Sequence, residues 1–299
     1  MPGILHNPVD RRSFLKTAAL AGTALAAAGC RSTSDLATGG RRELHLALLS
    51  DTHTPGDRLN GHRGFNPWTN LQSLVPQVVE ARPEGVVING DAARLEGLPA
   101  DYQELRSLLQ PVAEVAPVYI GLGNHDDRAR FFEVFPPPAG VSRELPGKQV
   151  LVIEHEVVRV VVLDSLLYVN KVAGLLGRDQ CRWLAEYLPQ HADRPVVLFV
   201  HHTLGDGDGD LLDAGRLFEI IRPHRQVKAI FYGHSHVWSL DAREQVQLIN
   251  LPAVGYNFRD QDPVGWVEAR FHRQGVELTL RALAGNRTDD GKLTAVKWA

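Results

Sequence analysis

Five short segments of the sequence carry side chains that bind metal ions in proteins, and each follows an apolar, strand-like run. In Gly121–Asp127 (GLGNHDD) an amide, an imidazole and two carboxylates come in succession. The other four segments are Asp51-Thr52-His53, Gly90-Asp91, His201-His202 and Gly233–His236 (GHSH). Asp, Asn and His side chains suit hard and borderline cations. Since open α/β sheets build their sites from loops at the carboxyl ends of strands, the five endings predict one shared metal site.

The candidate ligands are enough for two cations, provided that one carboxylate serves both. Two cations a few Å apart need an anionic ligand between them, and Asp91 is the natural bridge. We assign Asp51, His53 and His236 to one cation and Asn124, His201 and His234 to the other. Glycines precede three of the ligand positions, where a missing Cβ permits tight turns and close backbone approach; they are Gly90, Gly123 and Gly233.

Between these segments the chain alternates strand-like and helical patterns. The helical spacing of apolar residues predicts helices at Asn70–Ala81, Tyr102–Val112, Gly177–Leu188 and Leu211–Ile221. Repeated strand–helix–strand units imply parallel strands with right-handed crossovers. The later pattern predicts an antiparallel pair at Val150–Ile153 and Val157–Asp164 and a β-rich end at Gln245–Leu251, Gly265–Phe271 and Val276–Leu283. We expect one domain at 43–284 and a peripheral tail at 285–299.

These segments resemble the calcineurin-like metallophosphoesterase superfamily from about Leu44 to Leu283. Three stretches are most similar to its class III cyclic-nucleotide and glycerophosphodiester phosphodiesterases, namely Gly123–Phe135 (GNHDDRARFFEVF), Gly177–Leu184 (GRDQCRWL) and Ala229–His236 (AIFYGHSH). The resemblance implies an α/β fold, a four-layer α/β/β/α sandwich of two mixed sheets with the metal site at the carboxyl ends of strands. It also implies the ligand roles assigned above. Such ligands suit Fe, Mn, Zn or Co, so metal identity stays open.

The resemblance also implies roles beyond metal binding. His125 matches the family's non-ligand histidine near the leaving group, with Asp126 orienting it. Our hypothesis is that a metal-bridging hydroxide attacks phosphorus in line, while His125 protonates the leaving alkoxide. Asn124 and Arg128 would neutralise charge on phosphoryl oxygens. Further candidates for substrate contact are His202 and, in the polar loop that follows the first strand, His62 and Arg63.

The sequence differs from the class III phosphodiesterases at two places that concern the choice of substrate. Relatives commonly show His-His-Pro where this chain has His201-His202-Thr203, and Ala92-Ala93 after Asp91 lacks an acidic residue common in relatives. The expected activity is hydrolysis of small phosphodiesters. A phosphomonoesterase or nucleotidase with the same site is the first alternative, and a surface-tethered binding module without turnover is the second.

The first thirty residues resemble an export signal. Asp10–Lys16 (DRRSFLK) resembles the twin-arginine motif, an apolar run follows at Ala18–Gly29, and Ala27-Ala28-Gly29-Cys30 resembles a lipobox. We therefore expect an exported protein, periplasmic or anchored to a membrane through a lipidated Cys30. A plain signal-peptidase site around Ala26–Ala28 is the alternative. Residues 31–42 are polar and glycine-containing, which predicts a flexible tether.

Charge and cysteine content limit the classes of binding partner and the covalent cross-links that we expect. Removal of residues 1–30 leaves 29 basic and 34 acidic residues, a net charge of −5 against −3 for the whole chain. That balance, and the lack of a basic stretch interleaved with aromatic residues, disfavour a nucleic-acid partner. With Cys30 cleaved or acylated, only Cys181 remains, so we expect no internal disulfide.

Overall fold

The computed structural model describes residues 4–5, 43–136 and 145–299. The strands, in chain order, are β1 (Ile4–Leu5), β2 (Leu44–Leu49), β3 (Gly85–Asn89), β4 (Val118–Gly121), β5 (Leu151–Glu154), β6 (Arg159–Val162), β7 (Val196–Phe199), β8 (Val227–Tyr232), β9 (Ser239–Arg243), β10 (Val246–Asn250), β11 (Pro263–His272), β12 (Gly275–Gly285) and β13 (Leu293–Lys297). The helices are α1 (Pro67–Ala81), α2 (Pro99–Leu108), α3 (Gln110–Ala113), α4 (Arg128–Val134), α5 (Arg178–Gln190) and α6 (Ala214–Ile221).

The strands form two mixed sheets. One has seven strands in the order β1-β4-β3-β2-β11-β12-β13, in which β2, β3 and β4 are parallel and the other neighbours antiparallel. The other has six strands in the order β5-β6-β7-β8-β10-β9, parallel from β6 to β10 and antiparallel at both edges. The parallel strands of each sheet end at a common edge, where the ligand-bearing loops begin.

Side-chain alternation along the strands builds three apolar layers. In β2, Leu46 and Leu48 enter the core between the sheets, while Ala47 and Leu49 pack under the helices α1, α2 and α4. A third cluster lies between the six-stranded sheet and the helices α5 and α6. Each fully buried Leu or Phe in these layers contributes about 1.5–3 kcal/mol relative to exposure. The fold is therefore the expected α/β/β/α sandwich of two mixed sheets.

The helices and strands differ from the expected ones mainly at the ends. The helix expected at Tyr102–Val112 begins earlier, with Pro99 in its first turn, and divides into α2 and α3 at Leu109. Proline suits the first turn of a helix because its missing N–H has no helical partner there. The strands β9 and β13 were not expected from the sequence, and β13 places part of the tail 285–299 at a sheet edge.

The N-terminal expectations mostly concern residues outside the described part of the chain. The tether 31–42 and the export signal 1–30 fall there, apart from Ile4–Leu5, which pairs antiparallel with Val118 and Tyr119 of β4. Among the described residues, no helix has both the length and the apolar character required to cross a bilayer. Export and lipid attachment stay predictions.

Candidate metal centre

The strand ends bring the seven candidate ligands together. Asp51 and His53 follow β2, Asp91 follows β3, Asn124 follows β4, His201 follows β7, and His234 and His236 follow β8. In three groups the possible ligand atoms lie within 4.8 Å of one another: Asp51, His53 and His236; Asp91, His201 and His234; and His53, Asp91 and His125. The first group is one of those assigned from the sequence, and the second contains His201 and His234 of the other assigned group together with Asp91. The third adds His125, to which the sequence assigned proton transfer rather than metal binding.

Asp91 lies between the two groups. Its Oδ2 is 3.7 Å from Nε2 of His53 and 3.4 Å from Nε2 of His201. Its Oδ1 accepts a hydrogen bond of 2.9 Å from the backbone N–H of His125, which brings the Asn124 loop against it. This central position is the one that a bridging carboxylate requires.

Backbone carbonyl groups fix the orientation of three of the imidazoles. Nδ1 of His53 faces the carbonyl of Arg94 at 3.2 Å, Nδ1 of His236 faces that of Tyr256 at 2.6 Å, and Nδ1 of His201 faces that of Asn89 at 2.8 Å. A carbonyl only accepts, so we assign the ring proton to Nδ1 in each case. Each Nε2 then faces the centre and can ligate a cation when it carries no proton, as in metal sites whose histidines are held by a second layer of partners.

The separation of two of these nitrogens tests whether the residues fit a cation. Nε2 of His53 and Nε2 of His236 are 3.1 Å apart. Because both Nε2 lone pairs are directed at each other, the two imidazoles repel each other when nothing lies between them. A cation shared by both nitrogens makes the arrangement favourable.

Unpaired polar atoms support the same fit. Among the described residues, Oδ1 of Asn124 and Nε2 of His201 and His202 are buried and have no hydrogen-bond partner. Each such atom costs about 1–3 kcal/mol when it is left without a partner. Ligation of a cation would satisfy the first two, so the donor set present here fits a dinuclear site.

Burial and the two carboxylates set opposite pKa shifts in the centre. Burial lowers the pKa of His53 to about 3 and that of His234 to about 4, so both are neutral at pH 7. Burial also disfavours the imidazolium of His201, but the carboxylates of Asp91 and Asp51 raise its pKa to about 10. Burial would raise the pKa of both aspartates, yet His201 holds them below the usual carboxylate range. The cavity therefore favours cationic charge.

The backbone of the ligand loops is strained. Five of the seven candidate ligands have positive φ, namely Asp51 (50°), His53 (45°), Asp91 (48°), His234 (68°) and His236 (55°). Side-chain-bearing residues in this region cost about 1–2 kcal/mol each, and such strain clusters at functional sites.

The glycines next to the ligands leave room for close contacts, as the sequence predicted. A Cβ on Gly90 would lie 2.5 Å from Nδ1 of His201, and one on Gly233 would lie 2.6 Å from Oδ2 of Asp51. A Cβ on Gly123 would lie 2.6 Å from the backbone N of Asp91. Real Cβ atoms essentially never approach other atoms this closely.

His125 lies at the edge of the centre with a fixed orientation. Its Nε2 is 4.0 Å from Oδ2 of Asp91, and its Nδ1 faces the carbonyl of Leu95 at 3.0 Å and Oδ1 of Asn170 at 2.9 Å. Because both partners accept, Nδ1 carries a proton and Nε2 points towards the centre.

Asp126 has a different role from the expected one. Its carboxylate accepts hydrogen bonds from the backbone N–H groups of Ala92, Ala93 and Gly123 and from the hydroxyl of Tyr102, at 2.9–3.1 Å. Burial, followed by the charge of Asp91, raises the pKa of Asp126 to about 6. The expectation that Asp126 orients the ring of His125 is wrong, since Leu95 and Asn170 do so. Asp126 instead joins the Asp91 loop to the Asn124 loop.

The remaining candidates lie around the centre. The guanidinium of Arg128 forms two bonds of 2.7 Å to Asp164, which commits this group to a structural pair. His202 is fully buried, bonds to Ser165 Oγ at 2.7 Å through Nδ1, and lies 4.8 Å from the ring of His234. His202 therefore packs against that candidate ligand.

His62 and Arg63 belong to a loop that lies beside the centre. The ring of His62 contacts the edge of Tyr256 at 4.6 Å, and Arg63 donates to the carbonyls of Asn257 and Phe258. Tyr256 in turn lies 4.7 Å from the rings of both His53 and His236. Arg63 thus fastens this loop to the segment that contains Tyr256.

Two residues in the site were not singled out from the sequence. Asn170 lies in an irregular loop, and no local pattern marks it. Arg94 had a weak signal, since it is a charged residue three positions after the candidate bridge Asp91 and directly after the buried Ala92 and Ala93. Its contacts with Tyr256 and Asn60 are long-range and follow only from the fold.

Comparisons with known proteins show the family and the fold. Residues 44–238 match the calcineurin-like phosphoesterase family. The chain is 29% identical to a glycerophosphodiester phosphodiesterase of Enterobacter lignolyticus, over 70% of this chain and 76% of that protein. It is 32% identical to a protein of Rhodopseudomonas palustris named as a probable cyclic nucleotide phosphodiesterase, over 64% of this chain and 72% of that one. A dimetal phosphatase from Danio rerio has a similar fold, with a TM-score of 0.67 at 14% identity, over 86% of this chain and 99% of that one.

The fold and the clustered ligands define a metal-dependent phosphoesterase. This chain belongs to the calcineurin-like phosphoesterase family, and it is a hydrolase whose curated relatives are named phosphodiesterases.

Proposed function

We propose that this protein is a dimetal-dependent hydrolase of small phosphodiesters. The observation that carries the proposal is the pair of facing Nε2 atoms of His53 and His236, beside a carboxylate of Asp91 that lies within 4 Å of imidazoles from both ligand groups. The preference for diesters rests on the names of the two relatives described above.

The residues of the protein contribute to the reaction by placing charge and a proton around the scissile phosphate. Asp51, His53, His236, Asn124, His201, His234 and the shared Asp91 would hold the two cations. When bound, such cations supply Lewis acidity, which lowers the pKa of a water nucleophile and neutralises phosphoryl oxygens. The buried strand ends exclude bulk water, which strengthens electrostatic interactions inside the centre.

His125 would serve as the proton donor to the leaving alkoxide in an in-line displacement. Its Nδ1 proton is held by the two acceptors Leu95 and Asn170, so proton exchange with substrate takes place at Nε2, the nitrogen that faces the centre. Positioned general acids of this kind contribute about 10²–10⁴-fold to rate.

Activity of the metal-loaded full chain tests the proposal. We expect hydrolysis of bis(4-nitrophenyl) phosphate after loading with Mn, Fe, Zn or Co, faster than hydrolysis of 4-nitrophenyl phosphate. Asp91→Ala and Asn124→Ala should each abolish it, whereas Glu133→Ala, which removes an exposed carboxylate on α4, should not. Hydrolysis retained in metal-stripped protein would refute the dimetal proposal, and a faster monoester reaction would favour the phosphomonoesterase alternative.

We also propose that the protein is exported by a twin-arginine signal and anchored through a lipidated Cys30. The motifs in residues 10–30 support this. Replacing Arg11 and Arg12 by lysine should leave the precursor in the cytoplasm, and Cys30→Ser should release the mature protein from membranes on cell fractionation. A soluble wild-type mature protein would favour the plain signal-peptidase site.

A further inference from the structure

An unpaired donor lies in the loop that follows the candidate bridge Asp91. Nη1 of Arg94 is buried and has no hydrogen-bond partner anywhere in the described part of the chain. The unpaired Oδ1 of Asn124 and the deprotonated Nε2 of His201 suit cations. A guanidinium N–H is a permanently charged donor and suits an anion.

The main chain at Arg94 forms part of the site. The carbonyl of Arg94 orients His53, and the carbonyl of the next residue, Leu95, orients His125. The backbone N–H of Arg94 donates to Asp101 at 3.2 Å. Arg94 is therefore held between a candidate metal ligand and the candidate proton donor.

The side chain of Arg94 is fixed beside Tyr256. Its Nε donates to Oδ1 of Asn60 at 3.0 Å, and its guanidinium lies 5.7 Å from the ring centroid of Tyr256. Tyr256 contacts the rings of His53 and His236, so the guanidinium is one ring away from two candidate ligands. The guanidinium also attracts the phenolic oxygen of Tyr256, and its Nη1 makes no hydrogen bond of ordinary length.

The other arginines near the site are already committed. Arg128 pairs with Asp164, and Arg63 donates to two backbone carbonyls. Arg94 is thus the arginine of this site with a buried and unsatisfied donor, among the residues that the structure describes.

We propose that Arg94 is a substrate-binding residue whose Nη1 donates to an anionic oxygen of the substrate's phosphoryl group. The proposal rests on the phosphoester hydrolase function above. Arginine suits this contact because its planar donors match phosphate oxygens and its charge persists at every working pH. Arg94 then neutralises charge on the phosphoryl oxygens, the role that the sequence suggested for Arg128.

Inhibition by inorganic phosphate tests the contact. In the metal-loaded full chain, Arg94→Gln should raise the competitive inhibition constant of inorganic phosphate by about 10- to 100-fold, the range for a lost hydrogen bond between charged groups. The kcat/KM for bis(4-nitrophenyl) phosphate should fall by a similar factor. Arg94→Lys should give intermediate values, since it keeps the charge without the planar donors.

A matched control is Arg58→Gln. Arg58 belongs to the same loop as Asn60, is exposed and pairs with Glu104, so its loss should leave the inhibition constant unchanged. The metal content and the thermal unfolding of each variant show whether it folds. If Arg94→Gln does not fold, the inhibition constant of Arg94→Lys tests the inference. An inhibition constant within about twofold of wild type in either Arg94 variant overturns the inference. Absence of any phosphoester hydrolysis by the wild type would instead refute the proposed function.

Discussion

Replacement of Gly123 by alanine tests whether close packing of the Asn124 loop against Asp91 positions the metal centre. The φ of Gly123 lies outside the left-handed region, so alanine would act only through its Cβ. That Cβ would lie 2.6 Å from the backbone N of Asp91 and 2.7 Å from Cδ2 of His201, whereas ordinary contact begins at 3.4 Å. The loops must therefore separate by about 0.8 Å, the difference between 3.4 and 2.6 Å.

A shift of this size should be costly in a buried centre. Overpacking of this kind costs about 1–3 kcal/mol of stability, and a misplacement of about 1 Å at a reacting group costs about 100-fold in rate. We expect Gly123→Ala to lose about 100-fold in turnover of bis(4-nitrophenyl) phosphate and to retain less than two metal ions per chain. Elemental analysis after gel filtration and urea unfolding measure the metal content and the stability.

Gly215→Ala is the matched control. Gly215 lies in α6, and a Cβ there would meet nothing within 4 Å. Alanine should stabilise this helix by about 0.5–1 kcal/mol and leave turnover unchanged. The argument from close packing is refuted if Gly123→Ala binds two metals and turns over within about threefold of wild type.

Further predictions concern the surroundings of the centre. His125→Ala should keep both metals yet lose most turnover of alkyl phosphodiesters, whose leaving group needs a proton. Asn170→Ala should lower turnover of alkyl phosphodiesters roughly tenfold but spare 4-nitrophenyl esters, whose leaving group needs no proton; equal losses on both would contradict the orienting role. Asp126→Asn should lower the free energy of unfolding in urea by about 3 kcal/mol, because the new amide faces backbone donors; an unchanged value would contradict this. Burial and Asp213 raise the pKa of Cys181 to about 11, so its thiol should react with Ellman's reagent at pH 8 only after denaturation.

The ligand groups were predictable because each depends on a local signal. A buried strand that ends in Asp-x-His or Gly-His-x-His can be recognised without knowledge of distant residues. Parallel strands then bring such ends to one edge of the sheet. The same reasoning predicted the short contacts at Gly90, Gly123 and Gly233, which the structure confirms.

The groups that orient the ligands were not predictable. Backbone carbonyls of Arg94, Leu95 and Tyr256 have no side-chain signature, and their positions depend on how two sheets pack. The assignment of Asp126 as the partner of His125 was wrong for the same reason, since adjacency in sequence does not show where a carboxylate turns. The strand β9 was missed because its exposed positions, such as Asp241 and Arg243, give no alternation of apolar and polar residues.

The origin of the ligands in both sheets has a mechanical consequence. Each ligand group combines residues that follow the seven-stranded sheet with histidines that follow the six-stranded sheet; the first are Asp51, His53, Asp91 and Asn124, and the second are His201, His234 and His236. Bound cations would therefore cross-link the two halves of the sandwich at one edge. Chelation would remove that cross-link, so it should increase hydrogen exchange at the ends of β2 and β8 before it affects the opposite edge.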